Sequence, residues 1–253
     1  MGTHSGTRRN TAAITRATAA AALLAAALVP AGTAPAAGFG PHAQRYQDSN
    51  WGGYVAHGTF RSVSGSWTEP HVTCQTADDL FAPWVGIDGD GSQTVEQTGV
   101  QTDCSSGSPQ LSAWYEMYPA APVYWNDPVD EGDHITASVT AGSGGRYTIT
   151  LSDTTKGWTE HTTQYLSAGN ASAEAVIESP TQSYPAFDQL DFSGVTADGQ
   201  PLDAYSPEAL TSGGYSPGPL NNGSFSMTPG GYANRAPHAV RPHGHHRPAT
   251  IHY

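Results

Sequence analysis

The feature that most constrains this chain is a two-residue hydrophobic period, repeated in short runs and broken by glycine, proline and aspartate. Ile135, Ala137 and Val139 alternate with Thr136, Ser138 and Thr140, and Tyr147, Ile149 and Leu151 alternate with Thr148 and Thr150. Ala173, Ala175 and Ile177 alternate with Glu174, Val176 and Glu178. Period two, enriched in Thr, Tyr and Val, specifies strands with one buried face. Further strands are expected at 51–57, 60–67, 82–87, 94–100, 111–118, 158–166, 189–192 and 224–227. Turn clusters separate them, among them Asp88-Gly89-Asp90-Gly91, Ser106-Gly107-Ser108-Pro109 and Asp198-Gly199. Glycine and proline together supply 48 of the 253 residues, which excludes long helices. About a dozen short strands with hairpin-type turns predict an all-β chain forming one antiparallel β-sandwich.

The ends do not share this pattern. Arg8, Arg9 and Arg16 precede an Ala/Leu-rich run at 18–29, followed by Ala34-Pro35-Ala36. A basic region, an apolar run and a small-x-small site make residues 1–36 an expected secretion signal. The apolar run is shorter than the ~20 residues of a membrane span. Residues 37–48 read as a short N-terminal segment, and 49–228 as the β-domain. Residues 229–253 hold His238, His243, His245, His246 and His252 among Pro and Arg with no apolar face, so a disordered tail is expected. All 22 acidic residues fall within 37–219, against Arg45, Arg61, Arg146 and Lys156, a net charge of −18 for that stretch. A surface so acidic repels nucleic acid and anionic lipid, so neither is an expected partner.

Two cysteines, Cys74 and Cys104, in an exported chain point to one disulfide. They lack the short paired spacing of a zinc site. His42, His57, His71, His134 and His161 show no metal-ligand spacing either, so no metal and no cofactor is expected. A GxSxG elbow, an HExxH helix, a P-loop and a dinucleotide glycine fingerprint are all absent.

Large aromatics cluster with polar groups. On strands, Trp84, Gly86 and Asp88 share one face, as do Trp114 and Glu116, and Glu174, Val176 and Glu178. Such a face is too polar for a sandwich core and reads as a solvent-filled cleft gripping an extended polymer; an ordinary exposed sheet face is the alternative. Glu174 and Glu178 on one strand also suit a jelly-roll glycosidase of the laminarinase type, except that the position between them holds Val176 rather than Asp.

Four motifs in order, Ser49-Asn50-Trp51-Gly52-Gly53-Tyr54, WVGIDGDGSQTVEQTGV at 84–100, AWYEMYP at 113–119 and AEAVIESP at 173–180, resemble the glutamic peptidases, or eqolisins. The resemblance spans 49–227. It implies a sandwich of two large antiparallel sheets, concanavalin-like in its jelly-roll architecture, and protein or peptide substrates. It places the family's catalytic Gln and Glu on Gln97 and Glu178, and lines the cleft with Trp84, Asp88, Trp114 and Glu116. Glu174 is then a supporting group. The sequence departs from fungal members in carrying Gln101 where an Asp is common, in lacking a second disulfide, and in having only a short segment between the expected signal and Ser49. A bulky inhibitory pro-segment is therefore not expected.

The expected function is a secreted, monomeric acid endopeptidase in which Glu178 activates water and Gln97 stabilises the oxyanion. As pH falls toward ~4 the excess carboxylates are neutralised, and with few cations little is left to repel. The competing classes are a carbohydrate- or peptide-binding sandwich without catalysis and the glycosidase.

Overall fold

In a computed structural model, residues 1–2, 38–42, 44–45 and 48–230 are described. The chain divides into two compact units, Met1–Ala34 and Pro35–Tyr253. The expected signal, apart from Met1 and Gly2, and the tail beyond Gly230 lie outside the described residues. Among those residues no helix is long and apolar enough to cross a membrane.

The second unit is the expected sandwich, and every strand pairing in it is antiparallel. One sheet has seven strands, in the order Glu208–Leu210, Trp51–His57, Ser172–Glu178, Leu80–Asp88, Val95–Asp103, Gln110–Tyr118 and Val123–Tyr124. The other runs Trp158–Tyr165, Arg146–Asp153, His134–Ala141, Ser62–Thr68, Leu190–Ala197, Phe225–Pro229 and Tyr215–Pro217, with Gln200–Pro201 attached to Leu190–Ala197. A two-residue ladder joins Gln44–Arg45 to Asp48–Ser49. Every strand read from the alternation is present. The short strands Val123–Tyr124, Gln200–Pro201, Glu208–Leu210 and Tyr215–Pro217 were not expected, being too brief to show a period. Phe225–Pro229 runs one residue into the expected tail, because Pro229 pairs with Tyr215.

The faces follow from the alternation. Ala173, Ala175 and Ile177 meet Val63, Trp67, Ile135, Val139, Ile149 and Leu151 in the core between the sheets. The odd-out residues of the same strand, Glu174, Val176 and Glu178, lie on the opposite face of the seven-stranded sheet. There a second apolar cluster gathers Trp51, Val55, Trp84, Val95, Trp114 and Val176 around Phe39. Cys74 and Cys104 form the expected disulfide, with Cα atoms 5.6 Å apart.

Candidate active site

The strand register assembles the site. One lateral row across five strands reads Val55, Glu174, Gly86, Gln97, Glu116, since Glu174 faces Val55 and Gly86, and Gln97 faces Gly86 and Glu116. Glu178 lies at the far end of its strand, opposite Trp51 and Ala82. Gly86 must be glycine for this row to close. A Cβ there would stand 2.8 Å from the Trp84 ring, 3.1 Å from the Gln97 Cβ and 3.1 Å from Glu174 Oε1.

Glu178 is 2 % exposed. Its Oε1 accepts from Asn50 Nδ2 at 3.0 Å, and its Oε2 accepts from the indole N–H of Trp51 at 3.0 Å. Burial pushes its pKa well above the ordinary carboxylate range, against the pull of these donors. The Gln97 amide nitrogen donates to Glu116 Oε2 at 2.9 Å. It faces two acceptor oxygens, which fixes which end of the amide points into the site. Burial raises Glu116 to about 8 although Phe39 N–H and Gln97 both donate to it.

The face is not the open, solvent-filled cleft expected from the sequence. Residues 38–42 lie along it. The Phe39 N–H donates to Glu116 Oε2 at 3.1 Å, and the Phe39 carbonyl accepts from Gln97 Nε2 at 2.7 Å. The Gly40 N–H donates to Glu178 Oε1 at 3.2 Å, and the Gly40 carbonyl accepts from Trp51 Nε1 at 3.1 Å. The Pro41 carbonyl accepts from Asn50 Nδ2 at 3.1 Å, and the His42 N–H donates to the Gly89 carbonyl at 2.9 Å. The Phe39 ring stacks on Trp114 with centroids 4.5 Å apart, and His42 stacks on Trp51 at 5.6 Å. An aromatic, hydrogen-bonding face finds these partners in the chain's own N-terminal segment.

The expected site residues therefore divide. Gln97, Glu178, Trp114 and Glu116 all touch the segment. Trp84 lies one step back, edge-on to Trp51 at 4.9 Å. Asp88 shares the face, but its carboxylate accepts from the backbone N–H of Asn170 and Ala171, at 2.6 and 2.7 Å. It fixes a loop instead of lining the cleft, and it adopts the turn conformation (φ 71°) that ends its strand. Glu174 is fully buried with neither oxygen hydrogen-bonded, and burial raises its pKa well above the usual value. Gln101 accepts from the Tyr124 hydroxyl at 2.8 Å, a contact that needs no charge. Asn50 and Trp51 belong to the Ser49-to-Tyr54 motif, and both hold Glu178. Nothing in the alternation singles out a loop Asn and a strand-leading Trp as partners of a Glu 127 or 128 residues away.

His57, Asp90 and Glu208 bring ligand atoms within 4.8 Å of one another, a grouping their sequence separation hides. His42 Nδ1 adds a contact to Asp90 Oδ2 at 3.3 Å. A separate surface groove lined by Val72, Gln182, Tyr184 and Phe187 contains none of the site residues.

Residues 49–209 match the Peptidase A4 family. The chain is 29 % identical over 200 residues to Aspergillopepsin-2 of Aspergillus niger, covering 68 % of this chain and 67 % of that protein. It is 32 % identical over 167 residues to Scytalidopepsin B of Scytalidium lignicola, covering 63 % of this chain and 60 % of that protein. A crystal structure of Scytalido-glutamic peptidase with a peptide-based transition-state analog superposes with a TM-score of 0.59 at 26 % identity, covering 71 % of this chain and 97 % of that one. With the family model spanning well over half its length, this chain belongs to the Peptidase A4 family of glutamic peptidases.

Proposed function

We propose that Glu178 and Gln97 are the hydrolytic dyad of this glutamic-type peptidase, and that it acts as an endopeptidase in acid, outside the cell. The observation that carries the reading is a single peptide unit bound from both sides. Gln97 Nε2 lies 2.7 Å from the Phe39 carbonyl oxygen, and Glu178 Oε1 lies 3.2 Å from the Gly40 nitrogen. A substrate peptide seated in the same way presents its carbonyl to an amide donor and its nitrogen to a carboxyl group.

The chemistry needs no nucleophilic side chain. Burial is what holds the Glu178 proton, so the water that reaches the carboxyl also solvates it and returns it to the ionised form. Glu178 then takes a proton from that water as it attacks the carbonyl carbon, and gives the proton to the departing nitrogen. The Gln97 amide donates to the oxyanion and cannot ionise, so it works equally well in acid. Trp51 and Asn50 orient the Glu178 carboxyl, and Glu116 orients the Gln97 amide. Export rests on the basic, apolar and small-residue order of 1–36. With the family established, no observation favours the carbohydrate-binding or glycosidase readings.

The test is proteolysis of an acid-denatured protein at about pH 4, where surface carboxylates are half neutralised. Gln97→Ala should lower kcat by about 10²–10³, the usual cost of one oxyanion donor. Glu178→Gln should lose at least about 10²–10⁴ with its proton transfer. Near wild-type turnover by either variant, folded to the same melting temperature, would remove that residue from the dyad.

A further inference from the structure

The segment in the site is held as a substrate is held, not as a plug. From the Phe39 N–H to the His42 N–H, every backbone donor and acceptor is paired with the β-domain: Glu116, Gln97, Glu178, Trp51, Asn50 and the Gly89 carbonyl. An inert plug needs apolar burial alone. Here one peptide bond, Phe39–Gly40, has its oxygen on Gln97 and its nitrogen on Glu178, in the places the chemistry requires.

We propose that the enzyme cuts its own chain between Phe39 and Gly40, and that the Phe39 site is its pocket for an aromatic residue on the carbonyl side of the scissile bond. This rests on the dyad assigned above. Water adds across the Phe39 C–Gly40 N bond: its oxygen joins the Phe39 carbonyl carbon, that carbon–nitrogen bond breaks, and Glu178 delivers the proton to Gly40 nitrogen. The products are a Phe39 carboxyl group and a free amine on Gly40.

The side chains around the bond fit this cut and set a preference. The Phe39 ring is fully buried and stacked on Trp114, with its plane 14° from the indole. On the other side of the bond, a Cβ on Gly40 would only reach ordinary contact with the Tyr118 ring at 3.7 Å, so alanine fits as well as glycine. Before Phe39 the space is tighter, because a Cβ on Gly38 would stand 2.8 Å from Glu116 Oε1. The preferred external substrate accordingly carries a small residue, then an aromatic one, then glycine or alanine. If the export signal is removed after Ala36, the cut releases Ala37-Gly38-Phe39 and leaves Gly40-Pro41-His42 as the new start. Water must reach a Glu178 closed over by Gly40 and Trp51, which makes this a single slow event per molecule and the segment an inhibitor until it happens.

The experiment follows intact mass and amino-terminal sequence after the purified full chain is moved from neutral pH to about pH 4, with added casein as an external substrate. We expect a new amino terminus at Gly40 in wild type, its persistence as Phe39–Gly40 in Glu178→Gln, and a lag in casein digestion that ends as the cut proceeds. Phe39→Ala should slow the cut at least about tenfold, the discrimination a packed apolar group provides, and Phe39→Tyr should restore it. Should wild type digest casein while Phe39–Gly40 stays intact, or cut itself only elsewhere, this proposal fails and the dyad stands. Should it neither digest casein nor cut itself, the dyad assignment fails and this proposal with it.

Discussion

The two sheets of the sandwich bury their strands in different ways. In the second sheet, His134–Ala141 and Arg146–Asp153 alternate between buried and accessible residues, with Ile135, Ala137, Val139, Tyr147, Ile149 and Leu151 inward. In the first, Leu80–Asp88 and Ser172–Glu178 are buried at every position. An antiparallel sheet ordinarily leaves one face to water. A sheet buried on both faces must have its outer face covered, and here that face carries Trp51, Trp84, Trp114, Glu116, Glu174 and Glu178 under Phe39. Burial that departs from the alternation thus marks the site, whereas burial that follows it marks the scaffold.

The sharpest way to test the contrast is pH, because the buried carboxyls concentrate on the first sheet. Burial raises Glu96 to about 9 and Glu116 to about 8, and it raises Glu174 and Glu178 well above 4.5. In the other half, burial raises Glu69 to about 8 against a hydrogen bond from Trp67, and it raises Asp153 as well. The unfolded chain binds these protons more weakly than the folded one. The contribution of Glu69, Glu96 and Glu116 is therefore complete below about pH 4.5 and is lost as pH rises through about 8–9, and Glu174 and Glu178 act in the same direction. Asp79 acts in the opposite sense: burial opposes ionisation, but Ser183, Thr76 and Gln75 donate to it and lower it to about 2, so its contribution disappears only as pH falls through that value. Stability should peak between about pH 2 and 4.5 and fall by several kcal/mol toward pH 9, comparable with the ~5–15 kcal/mol margin of a typical domain. Denaturant midpoints measured across this range would show it. Glu96→Gln and Glu69→Gln should each flatten the slope, and a midpoint that rises from pH 4 to pH 9 would contradict the assignment of these groups as protonated acids. The acidic sequence composition led to the same acid optimum by a cruder route, surface repulsion. The buried carboxyls that do most to enforce it could not be counted from composition, since Glu96 and Glu160 look alike there and only one is buried.

A second comparison concerns space. In the first sheet, ladder partners between Leu80–Asp88 and Val95–Asp103 are interrupted at Ala82 and Pro83, where proline has no N–H to donate. The Pro83 carbonyl lies over Gly99, so that a Cβ there would stand 2.2 Å from it and 2.7 Å from the Trp84 Cβ. Gly99→Ala should cost about 3 kcal/mol or more, at the upper end of overpacking, read as a fall in the urea midpoint at unchanged m-value. A loss below about 1 kcal/mol would mean that the two strands separate easily and that the first sheet is not the rigid one. Gly99 lies in the quoted motif, but the reason for glycine is a carbonyl on the neighbouring strand, and that contact is invisible until the register is known. The strands and the two faces were legible because period two specifies them directly, and the resemblance carried by the four ordered motifs is what pointed to Gln97 and Glu178. The covering of the site by residues 38–42 was not, because Gly-Phe-Gly-Pro-His has no period and no charge pattern, only backbone groups that find partners once the sheet exists.

The smallest effect belongs to the outer face of the second sheet. Short hydroxyl side chains pair across its strands: Ser66 with Thr136 at 2.9 Å, Ser64 with Thr196 at 2.9 Å and Ser152 with Thr159 at 2.9 Å. Such pairs are each worth about 0.2–1 kcal/mol, and water can replace the lost partner. Ser66→Ala should therefore lower stability by no more than about 1 kcal/mol and leave activity on an external protein unchanged, since Ser66 belongs to the sheet that lacks the site. Combining Ser64→Ala with Ser152→Ala should give additive losses, because the pairs Ser64–Thr196 and Ser152–Thr159 share no residue and lie in different rows of the sheet. If Ser66→Ala instead lowered kcat, the two sheets would be coupled through the core, and the division between scaffold and site would have to be drawn inside the first sheet instead of between the two.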